Sequence, residues 1–349
     1  MVKRLLAVAV VVVAVAAAAG AAWIRQRVNE PYRGYPGAEQ FVEIPAGAGP
    51  RSIAQRLVAA GVVRDGLVFR AALWLNGGAT RLQAGEYRFD RPMRPGEVID
   101  MIVRGQVFVV TITFPEGLTI DEMARIFERQ GLGTSRAFAE AARDPAPIRQ
   151  LDPDARDLEG YLFPETYAVP RRTDAAGLVR QMVDRLQRVL TPELRRAAAA
   201  RGLTVRQAVT LASIVEKETG RPEERPLVAA VYANRLRIGM PLQCDPTVIY
   251  AMQMEGRYRG NITKADLSLD SPYNTYRHPG LPPGPIAAPG RGALEAAIAP
   301  ADADFLYFVS RNDGSHEFAR TLAEHNRNVR KYQVQYFRDR RAARQRAGS

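Results

Sequence analysis

Residues 5–24, LLAVAVVVVAVAAAAGAAWI, carry no charge. As a helix rising about 1.5 Å per residue, such a run matches the hydrocarbon core of a bilayer, about 30 Å thick. It is therefore read as a membrane span, with residues 1–27 forming an anchor that has a short cytoplasmic end. The rival reading is a secretory signal peptide cleaved at the Ala-rich end, although its apolar core would normally be about 7 to 15 residues. Lys3 and Arg4 favour a cytoplasmic N-terminus, while Arg25 and Arg27 on the far side weaken the asymmetry. The rest of the chain is then expected outside the cytoplasm.

That placement limits the partners. Lys and Arg outnumber Asp and Glu by 49 to 37, a net charge of +12, so anionic partners are expected. Nucleic acid does not fit a chain outside the cytoplasm. Peptidoglycan in a bacterial envelope and anionic lipid do. Cys244 is the one cysteine, which excludes an intrachain disulfide and a cysteine zinc site. A lone cysteine reads as a small buried apolar residue.

With 349 residues the chain has room for two or three modules. Residues 28–40, with two prolines and two glycines, suit a linker leaving the membrane. An internal repeat follows. Residues 41–72 and 110–142 share the order strand, Pro, Gly, amphipathic helix, Gly, helix, with Pro45, Gly47, Ala54 and Gly61 at the same offsets as Pro115, Gly117, Ala124 and Gly131. A strand at 82–90 and a helix at 96–105 lie between the copies. Neither copy can bury a face alone, so the two are expected to pack as one small α+β region over 41–149. Units of this kind resemble LysM-like glycan-binding modules, the alternative being a plain spacer. From about 150 the texture changes. Helices are expected over 173–202, 203–219 and 222–239, then a loop-rich stretch beyond 240, a hairpin through 305–318, and a basic tail at 337–349.

The chemistry-bearing residues are carboxylates. In LASIVEKETG, residues 211–220, Ala208, Leu211, Ala212 and Val215 share an apolar helix face flanked on opposite sides by Glu216 and Glu218. Either glutamate at the rim of an apolar pocket would have its pKa raised by desolvation and could act as a general acid. Periodicity does not choose between them. The plain alternative is two solvated helix-end charges pairing with Arg221 or Arg225. Glu159 and Glu165 lie among Tyr161, Phe163 and Tyr167, aromatic surface of the kind that stacks on sugar rings; the plain alternative is loop acids capping nearby helices. Asp245, after Gln243, reads as a turn or as a hydrogen-bonding pair at a cleft edge, and Asn274 with Tyr276 likewise. His278, His316 and His325 are scattered, and there is no HExxH, GxSxG, P-loop or GxGxxG pattern. Carboxylate chemistry beside aromatics, outside the membrane, suggests cleavage of a glycosidic bond.

The segments LEGYLFPETY, LASIVEKETG, VYANRLRIGMPLQCDPTVIYA, YNTYRHPGLPPGPIAAPG and LYFVSRNDGSHEF resemble, in that order and spacing, the YceG-like family of endolytic murein transglycosylases. The resemblance runs from about residue 41 to 335. It implies an α+β protein with an N-terminal transmembrane helix, a small LysM-like α+β module, and a mixed α+β catalytic domain over 150–336. Such a protein sits in the cell inner membrane with its catalytic domain in the periplasm, acts on nascent glycan strands, and works beside peptidoglycan synthases as partners. The resemblance also implies Glu218, directly before Thr219, as the catalytic acid, with Glu216 and Thr219 in support. Glu159, Tyr161, Glu165, Gln243, Asp245, Asn274 and Tyr276 are the implied substrate-binding residues. Neither metal nor organic cofactor is implied. Cys244 stands where Thr or Cys is expected, away from the proposed acid. Two other functions compete: a hydrolase pairing Glu218 with Glu165 or Asp245, and a wall-binding scaffold without catalysis.

Overall fold

A computed structural model describes residues 2–77, 82–171 and 173–347; residue 1 of the expected anchor and residues 348–349 of the expected basic tail lie outside them. The chain divides into two compact units, Met1–Val110 with Ala168–Arg171, and Thr111–Tyr167 with Arg172–Ser349.

In the first unit β1 (Gln40–Ile44) pairs antiparallel with β2 (Gly85–Phe89), Val42 facing Tyr87. The two-residue period sends Val42, Ile44, Tyr87 and Phe89 to one side. There they meet Leu57 of α2 (Pro50–Ala59), Phe69 of α3 (Gly66–Leu75), and Ile99 and Ile102 of α4 (Pro95–Val103). Helices α2 and α4 start on proline, whose fixed φ and missing N–H suit the first turn. Asp65 caps α3, accepting from the Leu67 and Val68 amides at 2.6 and 3.2 Å. The N-terminal helix α1 (Val2–Asn29) packs against α3 and α4. Its residues Leu6–Asn29, with mean hydropathy 2.5 and no buried share, form the one helix among the described residues long and apolar enough to cross a membrane.

In the second unit the central element is α9 (Val205–Glu218), opened by a reciprocal cap: the Thr204 hydroxyl accepts from the Gln207 amide at 3.2 Å, and the Gln207 side chain accepts from the Thr204 amide at 2.9 Å. Every residue from Ala208 to Val215 is buried. The helix is thus enclosed on all sides rather than on the one apolar face that periodicity suggests. Of its two polar members, Ser213 is satisfied, its hydroxyl donating to the Thr210 carbonyl at 2.7 Å and accepting from the Ile286 amide at 3.1 Å, whereas the buried Thr210 hydroxyl has no partner among the described residues. Around it pack α10 (Arg225–Arg237), α11 (Asp245–Met254) and α12 (Arg291–Ile298).

Three expectations change. The single helix expected over 173–202 is two, α7 (Ala175–Val189) and α8 (Pro192–Ala200), because Pro192 disfavours helical backbone at Thr191 and opens a new helix at its own first position. The stretch beyond 240 contains α11 and α12. Pro246 falls in the first turn of α11, where proline is tolerated. The repeat recurs locally as β1–α2–α3 and as β3 (Val110–Thr113), α5 (Ile120–Arg129) and α6 (Ser135–Ala142), but the copies fall in different units. The paired glycines share left-handed backbone, Gly47 and Gly117 at φ 76° and 77°, Gly61 and Gly131 at 69° and 70°.

The remaining strands are short. β3 pairs with β4 (Thr166–Val169), and β5 (Tyr307–Ser310) pairs antiparallel with β6 (His316–Ala319). After these come α13 (Leu322–Val329) and α14 (Tyr336–Ala347). Gly160, at φ 79°, allows the 158–163 segment to approach Pro285, whose Cβ would lie 2.3 Å from any side-chain Cβ built there.

Candidate active site

The two glutamates at the end of α9 have different surroundings. Glu216 is locked: its carboxylate meets the Arg225 guanidinium at 2.9 Å and accepts from the Gly290 amide at 2.9 Å, while Arg225 also holds Glu116 at 3.0 Å. It thereby fastens α9 to the starts of α10 and α12. Burial pushes its pKa up, against the Gly290 amide and Arg225, which pull it down. The pairing with Arg225 is the one considered from sequence, but it is buried rather than solvated.

Glu218 opens onto a cleft of about 280 Å³ whose wall includes Tyr232, Arg235, Gln243, Asp245, Tyr276 and Phe308. Its Oε1 accepts from the Tyr232 hydroxyl at 2.7 Å and from the Cys244 thiol at 3.0 Å. Among the described residues Oε2 has no hydrogen-bond partner. Burial raises the Glu218 pKa and the nearby Asp245 carboxylate adds to this; the two donors and His316 oppose it. The result is a carboxyl biased toward its protonated form, with the proton left for Oε2. This corrects the reading of Cys244 as remote from the acid: the thiol is buried and touches it.

The loop beyond α11 is tied to the same wall. Cys244 N–H donates to the Thr275 hydroxyl at 3.0 Å, and the Thr247 and Thr275 hydroxyls meet at 2.9 Å. Asn274, fully buried, donates to the Leu267 and Leu269 carbonyls at 3.0 and 2.8 Å and accepts from the Tyr276 amide at 3.0 Å. It staples the loop that carries Tyr276. The Tyr276 hydroxyl donates to Asp245 at 2.6 Å across the cleft edge. Gln243 holds φ at 51°, a left-handed conformation uncommon for a residue with a side chain, beside that edge. Thr219, the C-cap of α9, donates to Glu224 at 3.3 Å, and Glu224 in turn holds the His316 ring at 2.7 Å. Thr219 therefore ties the end of α9 to the β5–β6 hairpin.

Gln243, Asp245 and Tyr276 are thus brought to Glu218, while Glu159, Tyr161 and Glu165 are not. Tyr161 donates to Asp152 at 2.5 Å, and Asp152 pairs with Arg206 at 2.8 Å. Glu165 forms a two-pronged pair with Arg185 at 2.5 and 2.8 Å. Glu159 is buried beneath a separate cleft, at the start of α5. Sequence reading singled out neither Tyr232 nor Arg235. Arg235 donates to the Leu306 and Leu242 carbonyls at 2.7 Å each, so a buried cation with no acidic salt-bridge partner among the described residues lines the cleft. Its place on α10, three residues after Tyr232, is one helical turn and would have been a usable signal once Tyr232 was known.

Fold and site together define a mixed α+β protein with a membrane-length N-terminal helix and a half-buried carboxyl, Glu218, raised in pKa at a polar cleft. The chain belongs to the YceG-like family, whose sequence profile matches residues 42–331. It is 34% identical over 321 residues to the endolytic murein transglycosylase of Streptococcus pneumoniae serotype 2, strain D39, which covers 82% of this chain. It spans 57% of the length of that pneumococcal protein. It is 31% identical over 307 residues to the endolytic murein transglycosylase of Bacillus subtilis 168, covering 83% of this chain and 84% of that protein. A crystal structure of a YceG-like protein from Listeria monocytogenes matches with a TM-score of 0.56 at 31% identity, over 83% of this chain and 98% of that one.

Proposed function

We propose that this protein is an endolytic murein transglycosylase in which Glu218 serves as acid and then as base. The observation that carries the reading is the state of that carboxyl: half-buried at the cleft, raised in pKa, and, among the described residues, hydrogen-bonded on Oε1 only. Protonated at Oε2, it gives its proton to the oxygen between N-acetylmuramic acid and N-acetylglucosamine as the muramoyl C1–O bond breaks, and the bonding pair stays with the leaving sugar. The carboxylate then removes the proton of the muramoyl C6 hydroxyl, whose oxygen bonds to C1 as a 1,6-anhydro ring. One carboxyl completes both half-steps, unlike the paired acids of hydrolytic glycosidases. Gln243, Arg235 and Tyr276 supply polar groups for the sugar hydroxyls and acetamido groups. Asn274 positions Tyr276, and Glu216 and Thr219 hold the end of α9. Glu159, Tyr161 and Glu165 belong to substrate binding through more distant parts of the polymer or through the framework that carries it.

The same reading assigns α1 as a single-pass anchor in the inner membrane, N-terminus in the cytoplasm, with the catalytic domain over 150–336 in the periplasm. Of the region over 41–149, the part in the first unit, 41–110, is the LysM-like glycan-binding part, and peptidoglycan synthases are the partners that deliver nascent strands. Digestion of purified glycan strands followed by mass analysis of the ends tests the chemistry. Anhydro ends are expected. Asp245 lines the same cleft, and a hydrolase would use it to activate water, so new reducing ends would favour that second reading. Bound but uncut strands would leave a scaffold.

A further inference from the structure

In the first unit the helix pair α2–α3, residues 50–75, carries Arg51, Arg56, Arg64 and Arg70 against one acid, Asp65. That acid is engaged by the Leu67 and Val68 amides it caps, at 2.6 and 3.2 Å. Arg64 pairs with Glu30 at 3.2 Å, while Arg51, Arg56 and Arg70 enter no salt bridge among the described residues. An open groove of about 440 Å³ runs between the helices, taking Arg51, Gln55 and Val58 from α2 and Leu67 and Arg70 from α3. On α3, Leu67 and Trp74 are seven residues apart, nearly two turns, with Arg70 between them on the same side. Leu67 is 65% exposed and Trp74 80%, the highest value for a large apolar side chain among the described residues. Such residues scattered singly need no explanation, but here leucine, tryptophan and unopposed arginine share one face.

The start of α3 lies level with the end of the membrane-length segment. Trp23 and Arg27 of α1 line one pocket together with Arg64, Asp65 and Val68, so Leu67 stands beside the last residues of a charge-free run that ends at residue 24. From Asp65 to Trp74 the helix advances at most about 14 Å, which keeps all of α3 close to the bilayer surface. We propose that the α2–α3 face docks on the anionic headgroup layer of the membrane that α1 crosses, with Leu67 and Trp74 in the interface and Arg51 and Arg70 on lipid phosphates. This goes beyond the glycan-binding role given to the unit, and it rests on the reading of α1 as an anchor. Tryptophan favours headgroup level, and arginine there gains both Coulomb attraction and charge-assisted hydrogen bonds to phosphate. A glycan strand is the competing occupant. Sugar stacking would account for Trp74 but not for the exposed Leu67 or for the arginines around it. Docking beside α1 gives the first unit a second membrane contact and so fixes how it is turned toward the bilayer.

Trp23 and Trp74 are the two tryptophans of the chain, so Trp23→Phe leaves Trp74 as the sole reporter. The full-length Trp23→Phe protein is reconstituted into vesicles of phosphatidylcholine mixed with phosphatidylglycerol, and into vesicles of phosphatidylcholine alone. In the mixed vesicles Trp74 emission is expected to shift to the blue, to be quenched by brominated lipid and to be shielded from aqueous acrylamide. In phosphatidylcholine alone these effects should be weaker. Arg51→Gln plus Arg70→Gln should lower the docked-to-undocked ratio by about fivefold for each arginine. The difference between the spectra of the parent and of Trp74→Phe reads the same signal with Trp23 in place, should its replacement disturb the helix. Flotation with the vesicles reads the anchor separately. Protein that does not float overturns the anchor and the inference with it. Floating protein whose Trp74 stays open to acrylamide, or whose lipid quenching is the same in both vesicles and with both arginines replaced, overturns the inference alone. So does a Trp74 signal that answers to added peptide-free glycan strands and not to lipid, which would assign the face to glycan.

Discussion

Because Tyr232 and Cys244 both donate to Oε1 of Glu218, at 2.7 and 3.0 Å, the carboxyl is oriented and its proton is directed to the other oxygen. Glu218→Gln keeps the shape and removes the titrating group, so strand binding should persist while the cutting rate falls by about 10²- to 10⁴-fold. Glu216→Gln should act on stability instead. It replaces the acidic half of a buried pair whose Arg225 retains Glu116, so a loss of about 1 to 3 kcal/mol is expected in denaturant unfolding, with kcat much less affected than in Glu218→Gln. The opposite pattern, with Glu216→Gln the more damaging to kcat, would reverse the two roles. The donors give a separate prediction. Both lower the pKa of Glu218, so Tyr232→Phe or Cys244→Ala lets it rise further. The rate depends on a protonated acid, and its fall at high pH should therefore shift to still higher pH, together with a lower maximum from the lost orientation. Cys244→Ser, which keeps a donor, should restore the limb. If all three variants keep the parent pH profile, the two donors do not position the acid.

At the scale of elements, the buried Glu159 accepts from the Ile120 amide at the start of α5, beneath a cleft separate from that of Glu218, and its ionisation should be visible in stability. Its folded pKa is raised from 4.5 to about 8, chiefly by burial, with the neighbouring Asp157 and Asp121 adding to the rise and the Ile120 and Gly160 amides opposing it. A raised carboxyl binds its proton more tightly in the folded state than in the unfolded one. Its contribution is therefore full below about pH 4.5 and is lost as pH climbs through about 8. Melting temperature should decline across that window more steeply in the parent than in Glu159→Gln; identical slopes would mean that Glu159 stays ionised when folded. The helices around these sites differ in how far sequence reveals them. α5 and α9 are announced by Thr119 with Glu122 and by Thr204 with Gln207, pairs that satisfy each other's amides and need no distant partner. α11 and α12 lie in a Pro- and Gly-rich stretch whose local signals favour loop, and tertiary packing on α9 decides otherwise. The glutamate pair on α9 was legible as a candidate site. The partners that distinguish its members were not, because Tyr232 and Cys244 lie 14 and 26 residues further on, beyond the end of α9, where no single helix or strand period links them to Glu218.

At the scale of the whole molecule, what ties α1 to the folded chain is modest where it meets the first unit. Val28 of this helix packs, partly buried, against the hydrophobic core, while Leu6 and the valines from Val8 to Val15 are largely exposed. Arg27 pairs with Glu30 at 2.9 Å, but both side chains are about a third or more exposed, and such surface pairs contribute about 0 to 1 kcal/mol. Trp23, half exposed, lies within cation–π reach of Arg27, an arrangement of aromatic and basic side chains suited to a headgroup layer. Removing residues 1–27 therefore deletes the membrane-length segment while keeping Val28. The full chain should sediment with membranes and resist extraction at alkaline pH. The variant lacking residues 1–27 should be soluble without detergent, melt within a few degrees of the full chain in detergent, and cut added strands with unchanged end chemistry. N-terminal sequencing of the protein recovered from cells separates the anchor from its rival: an intact start at the first residues supports the anchor, whereas a start just after the Ala-rich segment means that the helix is a leader removed on export.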